Sequence, residues 1–109
     1  MASNADIRTH WDHDGRRAER LGVQMQAALR PSGAKKFSVD VIDISVVGVG
    51  FGTAANLHIG DRVWLTVPGM AGLESHVVWR NGHRYGCEFI NPLYAAVLDH
   101  IVELYRKKD

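Results

Sequence analysis

The stretch His76 to Ile90, HVVWRNGHRYGCEFI, decides the fold. Two alternating runs, His76 to Arg80 and Arg84 to Ile90, flank Asn81-Gly82, the dipeptide best suited to the positive φ angles of a two-residue type I′ turn. An antiparallel hairpin follows. Working back from it, Gly60-Asp61 signals a turn before Arg62 to Val67, where Val63, Leu65 and Val67 share one face, and Pro68-Gly69 closes that run. Val47 to Thr53 reads as an earlier strand, unusual for its glycines at 48, 50 and 52, and Phe37, Val39, Val41, Ile42 and Ile44 supply the strand before it. Val23, Met25, Ala27 and Leu29 alternate with Gln24, Gln26 and Ala28 until Pro31-Ser32-Gly33 ends the first strand. On the other side of the hairpin, Asn91 suits a helix N-cap with Pro92 at the first helical position. Leu93, Val97, Leu98, Ile101, Leu104 and Tyr105 then repeat at helical spacing. Arg106, Lys107 and Lys108 stand near the negative end of that helix's dipole.

Five or six short strands and one amphipathic helix predict an all-β fold, an antiparallel six-stranded barrel over 23–90 covered at an end or side by a C-terminal helix over 91–106. With 109 residues, 46% of them hydrophobic, the chain closes one core and no second. A formal net charge of +1 gives no global attraction to DNA or an acidic membrane, so any anion site must be local. Cys87 stands alone, which excludes an internal disulfide and makes a reduced cytosol the simplest compartment. The opening MASNADIR has no apolar core of a signal peptide, and the least polar stretch, Val46 to Leu57, is too short to span a bilayer. Residues 1–15 show no hydrophobic period and read as a mobile tail.

Two short motifs carry the chemistry. Arg16-Arg17-Ala18-Glu19-Arg20 contains R-x-x-x-R, and Asp43-Ile44-Ser45-Val46-Val47-Gly48 reads D-x-S-x-x-G. The first lies just before the first strand and the second bridges the second and third; a hairpin ending Gly86-Cys87-Glu88-Phe89 and a terminal helix follow. In that order they resemble the paired signature of PilZ domains, over roughly residues 15 to 106. The resemblance implies a receptor for cyclic di-GMP, often bound as two stacked copies. Residues 16–22 would form a loop that wraps the ligand against the barrel, and the signal would pass to a protein partner. It also implies an alternative, since some PilZ-like domains serve as adaptors without the nucleotide.

The residue types suit that ligand. Guanine offers O6 and N7 acceptors that match the fork of arginine, which also pairs with phosphate and stacks on bases, so Arg16 and Arg20 are the first candidates. Asp43 can accept from the N–H groups of the opposite guanine edge, and Ser45 adds a donor and an acceptor on the same strand face. Gly48 allows a turn or a close approach that a Cβ would obstruct. Arg17 and Trp79 are secondary candidates, as a further cation and a flanking aromatic.

Each residue also has a plainer reading. The arginines alone suit a solvated surface with Glu19 loosely paired, and Asp43, Ser45 and Gly48 alone suit a tight turn. His10, Asp12, His13 and Asp14 lie in the tail without a third fixed ligand, so no metal site is expected. Trp64 reads as packing, and Cys87, beside Tyr85 and Phe89, as a buried thiol. No spaced nucleophile, base and orienting group emerges, so no enzyme and no cofactor are expected. The absence of a basic stripe with interleaved aromatics argues against DNA or RNA. A monomer or weak dimer fits a chain of this size.

Overall fold

The computed structural model describes residues 19–107. Six strands, β1 (Leu21–Pro31), β2 (Phe37–Ile44), β3 (Gly48–Gly52), β4 (Arg62–Thr66), β5 (Leu73–Asn81) and β6 (Arg84–Phe89), precede the helix α1 (Ala95–Tyr105). The strands close into a barrel in the order β1-β2-β3-β6-β5-β4, every neighbouring pair antiparallel. The expected fold class is therefore the one found. Closure leaves no strand edge open to another chain.

The period-2 pattern explains which face turns inward. Val23, Met25, Ala27 and Leu29 of β1 are buried, as are Val63 and Leu65 of β4 and Tyr85, Cys87 and Phe89 of β6. Phe51 and Tyr85, neighbours across β3 and β6, stack at 5.8 Å between ring centroids. The helix covers the end of the barrel where β1 begins and β6 stops. Leu98, Ile101 and Val102 are its buried residues, and its exit is tied back to β1 by a bridge between Val23 and Arg106. The loop between β3 and β4 covers the opposite end. There Tyr85 Oη accepts from the Leu57 N–H at 3.1 Å and donates to the Ala55 carbonyl at 2.9 Å, holding buried Leu57 in place.

Four local expectations shift. The first strand starts at Leu21, so the last two residues of the expected 16–22 loop belong to β1, where Gly22 pairs with Asp43. In the hairpin Asn81 pairs with Arg84, which makes Gly82-His83 the two-residue connection, with φ +65° at Gly82. The helix begins at Ala95, not at Pro92; Tyr94 occupies the cap without a side-chain cap bond. The reason is that the preceding chain, which bends at Ile90 and Asn91, is held by tertiary bonds, Ile90 N–H by the Glu74 carbonyl and Leu93 N–H by that of Val46. Leu104 is 59% exposed, because the buried helix face runs through Leu98, Ile101 and Val102, with Tyr105 partly buried beyond them. Arg106 is the C-cap and no basic residue lies in the last turn.

Candidate functional site

The register slips at three places, in β1 after Gly22, in β2 and in β5, and the last two set the outer face of the barrel. Along β2, Val39 and Val41 point inward, and strict alternation would turn Asp43 inward as well. The register between β2 and β3 slips between Val41 and Asp43, and Ile44 takes the inward place while Asp43 faces out. Along β5, Ser75 and Val77 are buried, and the register with β6 slips between Val77 and Trp79. Val78 is the extra residue, and Trp79 is turned outward opposite Gly86. Each bulge thus re-aims one polar or aromatic side chain onto the same outer wall.

Cross-strand pairing then lines those residues up. Gly22 pairs with Asp43, Asp43 with Gly50, Gly50 with Gly86, and Gly86 with Trp79, in one row over β1, β2, β3, β6 and β5. The Asp43 carboxylate leans over Gly50, where a Cβ would lie 2.7 Å from Oδ1, and the Trp79 indole leans over Gly86, where a Cβ would lie 2.6 Å from Cδ1. Arg20, immediately before β1, donates from Nη1 to Asp43 Oδ1 at 2.8 Å. Both side chains are partly exposed, so this pair holds geometry and adds little stability, about 0–1 kcal/mol. Arg20, Asp43 and Trp79 thus share one wall, though the sequence separates them widely.

Ser45 and Gly48 build the turn that leads into β3. The Ser45 hydroxyl, buried at 4% exposure, accepts from the N–H groups of Val47 and Gly48, both at 3.2 Å. Its backbone N–H donates to the Gly48 carbonyl at 2.9 Å. Ser45 lies beyond the end of β2, so the strand alternation that would set it beside Asp43 stops short of it. At Gly48 a Cβ would collide with the Cys87 carbonyl, so the close approach of β3 to β6 requires glycine there. Arg16 and Arg17 lie outside the described residues, as do the tail residues His10, Asp12, His13 and Asp14.

Beside the row runs a groove of about 740 Å³, lined by Gln24, Gln26, Asp40, Arg84, Arg106 and Lys107 among others. Sequence reasoning did not single out Arg84, Arg106 or Lys107 as a cationic lining. They come from strand β6 and the helix exit, and the strand order β1-β2-β3-β6 together with the docking of the helix exit on β1 brings them to one groove. Gly50 and Gly86 were also missed as site residues, although the alternating glycines at 48, 50 and 52 were a visible signal. Trp64 lies elsewhere, on β4 opposite Arg30, whose guanidinium sits 4.4 Å from its ring centroid. Among the described residues there is no group of three His, Cys, Asp or Glu that would hold a metal ion. No described helix is long and apolar enough to cross a membrane.

A family model described as PilZ domain matches residues 14–107. No curated protein matches the chain.

Proposed function

This chain belongs to the PilZ domain family, a family of cyclic di-GMP-binding domains, and from that premise we propose that it is a cytoplasmic cyclic di-GMP receptor that signals through a protein partner. The observation that carries the reading is the pairing of Arg20 with Asp43 on the same outer wall as Trp79. A guanidinium, a carboxylate and an aromatic face each match one part of a guanine nucleotide. Asp43 accepts from the N1–H and N2–H groups of guanine, Trp79 stacks on a base, and Arg20 turns from Asp43 to phosphate or to the O6/N7 edge.

Arg16 and Arg17, four and three residues before Arg20, extend that grip. Arg84, Arg106 and Lys107 along the adjoining groove supply further cations for the phosphates of one ligand or of a stacked pair. Ser45 and Gly48 act by fixing the turn that carries Asp43 into β3. Closure of the arginine segment over the ligand creates the surface that a partner reads, with charge neutralisation and stacking offsetting the entropy of ordering the segment. The reading is that of a domain that binds its ligand without transforming it.

Isothermal titration calorimetry of the purified protein with cyclic di-GMP, beside GTP and linear GMP dinucleotide controls, tests the proposal. Saturable binding selective for the cyclic dinucleotide is expected, weakened about tenfold or more by Arg20→Ala or Asp43→Ala, since loss of one charged hydrogen-bonding partner removes about 1.5–3 kcal/mol. No heat at high protein concentration would overturn the receptor reading in favour of a ligand-independent adaptor of the same fold.

A further inference from the structure

The order along the cross-strand row is Asp43, Gly50, Gly86, Trp79. Neighbouring strands lie about 4.8 Å apart, so the two outer positions stand about 14 Å from each other along the row. Their side chains do not stay that far apart. Asp43 leans over Gly50 and Trp79 leans over Gly86, and these two glycines face each other directly. A carboxylate and an indole are therefore set side by side at about one strand spacing, roughly 5 Å. That separation lets a guanine stacked on the indole present its N1–H and N2–H edge to the carboxylate. Adenine carries an acceptor at N1 and no amino group at C2, so it lacks the donors this arrangement meets.

The arrangement depends on the missing side chains. A Cβ at Gly86 would fall within the space of the Trp79 ring, 2.6 Å from Cδ1, and one at Gly50 would lie 2.7 Å from Asp43 Oδ1. In both cases the obstructing atoms belong to a side chain and not to the backbone, so the carboxylate or the indole is the group that must move. Gly48 differs, because its Cβ would meet the backbone carbonyl of Cys87, and Gly52 differs again, with nothing nearer than 3.8 Å. The two bulges are a separate observation with the same outcome, since without them neither Asp43 nor Trp79 would face outward.

We infer that Gly86 and Gly50 are positioning residues of the guanine site: Gly86 seats the Trp79 indole on the barrel wall as a stacking face, and Gly50 seats the Asp43 carboxylate beside it. The inference deepens the receptor reading above and rests on it for its ligand. It makes base discrimination a property of residues that never touch the base by side chain.

A double-mutant cycle measured by calorimetry with cyclic di-GMP tests it, using wild type, Gly86→Ala, Trp79→Ala and the double variant, with Gly52→Ala as control and a thermal melt of each. Gly86→Ala is expected to weaken binding by about the same factor as Trp79→Ala, within the roughly 5- to 150-fold that base stacking contributes. The double variant should then be no weaker than Trp79→Ala alone, and Gly52→Ala should bind as wild type. If Gly86→Ala does not fold, the same cycle with Gly50→Ala and Asp43→Asn takes its place. Near-wild-type binding by Gly86→Ala, or losses that multiply in the double variant, would overturn the inference while leaving the receptor reading intact. Failure of the wild type to bind would overturn the receptor reading and the positioning role together. The seating itself is read without ligand by NMR: the Gly86 α-protons should be shifted upfield by the indole and return to ordinary values in Trp79→Ala, and an ordinary shift in the wild type would overturn it.

Discussion

At the scale of single residues, the chain separates positions that build from positions that face outward. Cys87 is among the builders. Burial pushes its thiol up from the ordinary 9.0 to about 12, because the thiolate would lose its hydration inside the barrel. The unfolded chain therefore ionises this group near pH 9 while the folded chain holds the proton. Unfolding then releases a proton between pH 9 and 12, so the contribution of Cys87 to stability is complete below pH 9 and declines as the pH rises through that window. Urea melts of wild type and Cys87→Val between pH 8 and 10.5 should diverge, the wild type losing about 1–2 kcal/mol more than the variant over that range. Parallel pH profiles would contradict the burial argument. Asp43 and Arg20 were legible as chemistry from their motifs, and the structure brings them to 2.8 Å. What the motif could not separate is that Ser45 and Gly48 spend their polar atoms and their lack of a side chain on the turn.

At the scale of elements, alternation and turn residues were enough to find all six strands, because each strand has one face in the core and a period of two. The ends and the bulges were harder. In β2 the apolar residues change parity, from Phe37, Val39 and Val41 to Ile42 and Ile44, and that change is the trace of the bulge that turns Asp43 outward. In β5 the run Val77, Val78, Trp79 hides the same event, since three apolar residues in a row fit either register. The helix start was misplaced because Asn91-Pro92 has the local chemistry of a cap, whereas tertiary bonds from Val46 and Glu74 hold that stretch in a bend outside the helix. The loop at the other end offers a direct test of what holds an element without regular structure. Tyr85→Phe removes the hydroxyl that accepts from Leu57 and donates to Ala55, leaving a buried N–H without its partner. A loss of about 1–3 kcal/mol in chemical denaturation is expected, with faster amide exchange at Leu57. An unchanged midpoint would mean the loop is held by Arg80 instead, whose guanidinium bonds Asn56 and the Leu57 carbonyl.

At the scale of the whole molecule, the barrel is a frame closed at both ends, by the helix and by the loop carrying Leu57, so a ligand must bind on its outside. The sequence showed the frame and two fragments of the site. It named Trp79 only as a flanking aromatic, and it did not show that Trp79 shares the wall of Arg20 and Asp43 or that Arg84, Arg106 and Lys107 line the same side, because those are consequences of strand order and helix docking. The proposed receptor holds cyclic di-GMP on the row from Asp43 to Trp79. The most direct test is a ¹H–¹⁵N NMR titration of the wild-type protein with cyclic di-GMP. The largest shifts should fall on Arg20, Gly50, Gly86 and the Trp79 indole N–H, with Trp64 on the far wall unmoved. Shifts centred on Trp64 and Arg30 would put the ligand on the other wall, and no shifts at a ligand excess would mean that the row binds none.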